Sequence, residues 1–403
     1  MKYIKEHEKL LELRESYDVI IAGGGFAGVS AAVSAARLGA KVLLLEREYT
    51  LGGLGTLGLI TVYEPICDGA GRQVSFSMAE ELLRLSAKHG WDGEPCPAWL
   101  FDDGSLEDKV EQRFRLRFNP NICAILLEQW LLENKVKLRY GTMVCDTIVE
   151  GDKITALIVE GKEGRYAIGC KSVVDVTGDA DLARQSGSKT SLFKNGNTLA
   201  CWHYVYRDKQ YQLHKFGKAE LPDYLKTEEQ LKNPAQVKRY SGVASDNLTE
   251  MMVDAHSSIL ENYLTFGKVD EDHALATMAT IPQIRMTRKY CGIYTMERSD
   301  LHTRIEDSIG MCGNWRKTNR GEVFEIPFRS LYGEKVKNLI TAGRSISTSD
   351  DMWDITRVIP VCVVTGEAAG AAAAMTGDFH NLNVTELQKV LVSRGIVLHE
   401  TDL

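Results

Sequence analysis

An α/β fold organised around a parallel sheet is predicted by three features of the chain. The first is an apolar strand, Asp18-Val19-Ile20-Ile21-Ala22, that runs directly into Gly23-Gly24-Gly25-Phe26-Ala27-Gly28 and then into an Ala-rich helix ending near Gly39. The second is another apolar strand at 42–45 that delivers Glu46, about 20 residues past Gly28. The third is a pair of later apolar strands, 172–176 and 339–342, each ending in a glycine turn, Thr177-Gly178-Asp179 and Gly343-Arg344.

The first turn has the shape a dinucleotide requires. Gly23 permits the tight turn, Gly25 lets backbone approach a pyrophosphate without an intervening Cβ, and Gly28 allows close helix-strand packing. The helix start then faces the phosphates with free N–H groups, and Glu46 is placed to accept hydrogen bonds from an adenosine ribose. Gly53-x-Gly55-x-x-Gly58 repeats the spacing but lacks a preceding buried strand, so it is not a second nucleotide site.

The acid at the end of the second strand, followed by Leu51-Gly52-Gly53, resembles the FAD-binding domain of the glutathione-reductase superfamily. More narrowly, the chain resembles the FAD-dependent oxidoreductase family with fumarate-reductase-like and geranylgeranyl-reductase-like relatives. Thr177-Gly178-Asp179, Ala342-Gly343-Arg344 and Arg357-Val358-Ile359-Pro360 carry the same resemblance. It implies a Rossmann-type FAD domain, a parallel sheet plus a three-stranded antiparallel meander, in two segments, 15–190 and 325–403. An inserted α+β substrate domain, 191–324, interrupts it, and residues 1–14 form an N-terminal extension. The implied cofactor contacts are Gly23, Gly25, Phe26, Ala27, Gly28, Glu46, Arg47, Gly52, Gly53 and Thr56 from the first unit. Val144, Thr177, Gly178 and Asp181 follow from the middle of the domain, and Gly343, Arg344, Pro360 and Val361 from its last part, where a helix start points at the flavin pyrimidine.

Local patterns agree with that frame. Residues 77–89 read as a helix and 90–104 as a loop rich in Gly, Pro and Trp. Asn119 is an N-cap with Pro120 at the first helical position. A short strand at 136–140 precedes a meander of 142–149, 154–160 and 165–170, turned at Gly151 and at 161–164. The stretch 190–326 is more polar and aromatic, as a substrate domain would be.

Composition narrows the function. The 403 residues are 44% hydrophobic and carry a net charge of −7 without a long basic run, which argues against nucleic acid as partner. The charged N-terminus does not read as a signal peptide, so a cytoplasmic location is expected. Glu367 interrupts the longest apolar stretch, 358–375, which reads as a buried helix and not as a membrane span. The nine cysteines include no Cys-x-x-Cys pair, and no histidine cluster has ligand spacing, so neither a redox disulfide nor a metal is expected.

The chemistry expected is hydride transfer between flavin N5 and a carbon of a small organic substrate, an anion included. With one nucleotide fingerprint, electrons reach the flavin from that substrate, from transiently docked NAD(P)H, or from a redox partner protein; the oligomeric state is left open. A flavin monooxygenase and a non-enzymatic electron-transfer flavoprotein are the alternatives. Segment 281–294, taken as a strand, puts Arg288 on an apolar face with Tyr294, and Arg285 on a polar one. A desolvated guanidinium needs a counter-charge. For Arg288 this is either a protein carboxylate such as Glu297, Asp300, Glu306 or Asp307, or a substrate anion, the choice the resemblance favours. Tyr294, His302 as proton donor and Arg357 beside the flavin complete the catalytic candidates, and Asp350, Asp351 and Asp354 are either a solvated loop or counter-charges.

Overall fold

Alternating side-chain direction on central strands buried on both faces sets the layers of the molecule. A computed structural model describes residues 4, 8–89, 96–101, 104–217, 221–232, 235–265 and 273–403, so the loop expected at 90–104 and the N-terminal extension lie partly outside the described residues. The elements that position the site are β1 (Leu13–Ala22), α1 (Phe26–Arg37), β2 (Val42–Leu45), α2 (Met78–Ala87), α3 (Pro120–Glu133), β3 (Lys137–Arg139), β4 (Met143–Glu150), β5 (Lys153–Gly161) and β6 (Gly164–Asp175). They continue with β7 (His203–Arg207), β8 (Gln210–His214), α4 (Ser245–Leu264), β9 (His273–Met278), β10 (Leu339–Thr341), α5 (Asp350–Thr356) and α6 (Ile359–Met375).

Strands β3, β2, β1, β6 and β10 lie parallel, and β4, β5 and β6 form the antiparallel meander within the same sheet. Period two assigns the faces. Val19, Ile21, Leu44, Val174 and Ile340 point into the core beneath α1 and α6, while Ile20, Leu43, Val173 and Leu339 pack with Leu157, Tyr166 and Ile168. The third meander strand and the strand before Thr177, read from the sequence as two segments, are one 12-residue strand. β1 also begins earlier than expected, because exposed residues from Leu13 pair with the meander half of β6.

The small residues of α1 and α6 have a packing reason. A Cβ on Gly366 would lie 2.3 Å from Ala27 O, and one on Gly370 would lie 2.0 Å from Ala31 O. Backbones this close let Ser34 Oγ donate to Glu367 O at 2.6 Å. α6 is buried along nearly its whole length, and no single described helix is long and apolar enough to cross a membrane.

Asn119 caps α3 as its sequence implies, its side chain accepting from the Asn121 and Ile122 N–H groups. Between β6 and β10 the chain forms an antiparallel sheet, β8-β7-β9, with α4 beside it. Met296, Ile309 and Cys312 already belong to the main core, so the chain rejoins it before the boundary drawn at 325.

Candidate functional site

The glycine turn sits where β1 ends and α1 begins. Gly23 has φ +117°, and a Cβ there would meet Val176 O at 2.4 Å; a Cβ on Gly28 would meet Gly23 O at 1.9 Å. Gly25 differs: a Cβ would find nothing within 4 Å. The turn therefore has a bare backbone facing open space at the start of α1, with room for phosphate oxygens. Glu46 lies behind it, buried, accepting from the Gly24 N–H at 2.6 Å and the Glu48 N–H at 2.9 Å. Burial pushes its carboxyl above the usual range. Gly52 N–H donates to Gly24 O at 2.8 Å, which lays the Gly52-Gly53 loop and Thr56 beside the turn. Val144 stands at the start of the meander, close to where Thr142 N–H donates to Glu46 O at 3.1 Å, and Arg47 is exposed beside it. A Cβ on Gly343 would fall 2.9 Å from Ala27 Cβ and 3.7 Å from Cys362 Sγ, so the starts of α1 and α6, with buried Pro360 and Val361, converge at the carboxyl ends of the parallel strands. These residues fit a flavin dinucleotide.

Other expected contacts have structural duties. Arg344 does not face the turn of α1; its guanidinium donates to Gly178 O at 2.6 Å, Ile284 O at 2.7 Å and Asp179 Oδ1 at 2.7 Å. Thr177 bonds through its hydroxyl to Asp175 Oδ1 at 2.7 Å, and burial pushes the Asp175 carboxyl up to about 6.

The expectation for Arg288 is corrected. Residues 281–287 are not a strand; only Arg288–Tyr290 pair, with 190–192. Both sides of the irregular segment are covered, so parity fails. Arg288 donates to Asp181 Oδ1 at 3.0 Å and to Asp179 O at 3.2 Å, a protein partner and not an open anion site. Asp181 is thereby engaged as well. Two other catalytic candidates also lie elsewhere. Tyr294 donates to Asp300 Oδ1 at 2.6 Å, and His302 is an exposed residue whose Nδ1 lies 2.8 Å from Glu400. Neither shares a described contact with Arg357.

Arg357 instead belongs to a cationic cluster. It donates to buried Asp354 at 2.6 Å, and Arg316 takes the other Asp354 oxygen at 2.8 Å. Asp354 is thus a counter-charge and not a solvated loop residue. Arg285, 7% exposed, stands next to this pair, and the described contacts of its guanidinium are Gln283 O at 3.2 Å and the Trp202 ring at 5.2 Å. Burial, then repulsion from Arg357, pulls its guanidinium down to about 9 against the pull of Asp354. Lys215 lies on the same indole, 5.0 Å from its centroid. Among the described residues, the buried side-chain atoms here without a hydrogen-bond partner are all donors: Trp202 Nε1, Arg357 Nε and Arg113 Nε. A cluster with surplus cations and orphan N–H groups lacks an acceptor.

By contrast, Lys289, one of two lysines lining a nearby cavity of about 400 Å³, is already neutralised by Asp350 at 2.6 Å. Sequence reasoning assigns Arg285 to a polar face and passes over Trp202, Lys215 and the basic row Arg113-Phe114-Arg115-Leu116-Arg117-Phe118, whose strict alternation was the available signal.

Comparison with known proteins agrees with the cofactor that the turn fits. The profile of the family described as FAD dependent oxidoreductase matches residues 18–236 and 202–391. Digeranylgeranylglycerophospholipid reductase 2 of Methanothermobacter thermautotrophicus is 25% identical over 205 residues, 47% of this chain and 46% of that protein. The tRNA uridine 5-carboxymethylaminomethyl modification enzyme of Lactococcus lactis is 24% identical over 206 residues, 46% of this chain and 32% of that protein. The chain therefore spans less than half the length of these curated relatives. Among solved structures, a geranylgeranyl bacteriochlorophyll reductase-like protein from Thermoplasma acidophilum has a TM-score of 0.48 at 12% identity, over 94% of this chain and 84% of the other. The chain belongs to the FAD-dependent oxidoreductase family, whose cofactor the glycine turn fits.

Proposed function

We propose that the enzyme exchanges a hydride between flavin N5 and a carbon of a small organic anion, and that Arg285 and Arg357 hold the anionic group. FAD, when bound along Gly25, Glu46 and the start of α6, supplies the two-electron chemistry. The chain supplies orientation and charge. The observation that carries this reading is the donor surplus: Arg316 and Arg357 both bind Asp354, the Arg285 guanidinium beside them has no carboxylate among its described contacts, and Trp202 Nε1 and Arg357 Nε are buried without partners among the described residues. A carboxylate or phosphate would satisfy those donors and offset the surplus charge. Trp202 presents a flat apolar wall beside Arg285, so the anion would be held against an edge where water is displaced.

An anaerobic screen tests this. Flavin absorbance should bleach with an organic acid donor and not with the same donor carrying an amide in place of the acid group. Bleaching by neutral analogues at equal rates would remove the anion site from the reading.

A further inference from the structure

One carboxylate near this cluster is unused. Glu64 lies one residue beyond the rung at which Tyr63 pairs with Leu116, which puts it opposite Arg115, the residue that leads into the short strand 116–117. Tyr63 itself meets Phe26, the first residue of α1, with ring centroids 6.0 Å apart. Glu64 is therefore anchored at the same end of the sheet as the glycine turn. It is half-buried, and no hydrogen bond or ion pair to it is described. The charged groups that act on it come from each element around it: Arg115 and Arg113 from the segment leading into the strand 116–117, Arg357 from the end of α5, and Lys215 from beyond β8. Burial lifts its carboxyl above the ordinary range although four cations oppose the shift. A structural carboxylate amid so many guanidinium groups would be expected to form a direct ion pair, as Asp354 does.

We propose that Glu64 is the proton-exchanging group of this site. The proposal rests on the hydride-transfer reading above. When a substrate H–C–X–H is oxidised, the C–H bond breaks with its electron pair, which leaves as hydride to FAD. The X–H bond breaks and its proton goes to a Glu64 carboxylate oxygen, so that C=X forms and Glu64 becomes a neutral acid. In the reverse direction Glu64 returns that proton. The four cations hold the carboxylate in place before the proton arrives, and burial keeps its affinity for the proton high enough to accept one.

The test uses the oxidised holoenzyme with sulfate as probe, because sulfate keeps its charge from about pH 4 to 9. Sulfate affinity, read from perturbation of the visible flavin band, should fall several-fold in the wild type as pH rises through the Glu64 ionisation. Between about pH 5 and 8, below the range in which Arg285 loses its proton, Glu64→Gln should bind sulfate with a flat pH profile, and Glu64→Asp should restore a sloped one. With a donor returned by the anaerobic screen, Glu64→Gln should bleach at least about 100-fold more slowly at unchanged FAD content. A Glu64→Gln enzyme that keeps the wild-type pH profile, or that bleaches at the wild-type rate, would overturn the assignment. In either case anion-dependent bleaching by the wild type would leave the hydride-transfer reading standing, and its absence would remove that reading instead.

Discussion

Arg288 reaches Asp181 Oδ1 at 3.0 Å and Asp179 O at 3.2 Å, tying the segment after 287 to the turn that follows β6. Thr287 Oγ1 and Arg344 bind Asp179 Oδ1 from the same side, at 2.6 and 2.7 Å. Three side chains thus clamp one turn, and the role of Arg288 lies in that clamp. Arg288→Ala should cost about 1–3 kcal/mol of stability, since it leaves the partly exposed Asp181 carboxylate and the Asp179 carbonyl short of a charged donor. The residual folded enzyme should keep its turnover. Thermal melts with turnover measured per folded FAD would show this; unchanged melting with lost turnover would return Arg288 to the substrate.

The three glycines of the first turn should separate on mutation. Gly25 has an ordinary φ of −69° and open space around its missing Cβ, so Gly25→Val should fold and lose FAD. Gly28→Ala places a methyl group 1.9 Å from Gly23 O and should destabilise the fold itself. Circular dichroism paired with flavin content distinguishes the two. A yellow Gly25→Val protein would show that the turn is not where the pyrophosphate lies.

Glu367 is buried in α6, where Ser77 Oγ donates to it at 2.9 Å and the Met78 N–H at 3.1 Å, so it caps the start of α2 from another helix. Burial pushes its carboxyl up to about 7. Its folded value is above the unfolded one, so the stability it contributes is complete below about pH 4.5 and is lost as pH rises through about 7. The loss is on the order of 3 kcal/mol. The wild-type melting temperature should fall between pH 5 and 8 by more than that of Glu367→Gln. Parallel curves for the two proteins would contradict this.

The parts of the molecule legible in the sequence were those specified at short range. Residues 18–46 combine strand period, glycine spacing and a terminal acid in one local pattern, and Asn119-Pro120 states its helix start in two residues. Parity failed at 281–287 because it presupposes a strand, whereas this segment runs irregularly with cover on both sides, and Gln283, Arg285 and Thr287 are buried as fully as Ile284 and Met286. The partner of Arg288, Asp181, lies 107 positions away, and the resemblance assigns that acid to the cofactor. The pairing of 62–63 with 116–117 is only two residues long, too short for a periodic signal, and that pairing is what brings Glu64 opposite Arg115.

The central claim is that Arg285 is a buried cation kept short of a partner so that a substrate anion can supply one. The most direct measurement replaces it with methionine and reads stability and catalysis on the same sample. Removing an underpaired buried charge should leave the melting temperature unchanged or raised, FAD content should be unchanged, and kcat/KM for an anionic donor should fall at least tenfold, about 1.4 kcal/mol or more of lost binding. A sharp fall in melting temperature with kcat/KM retained per folded enzyme would contradict the account and make Arg285 part of the scaffold.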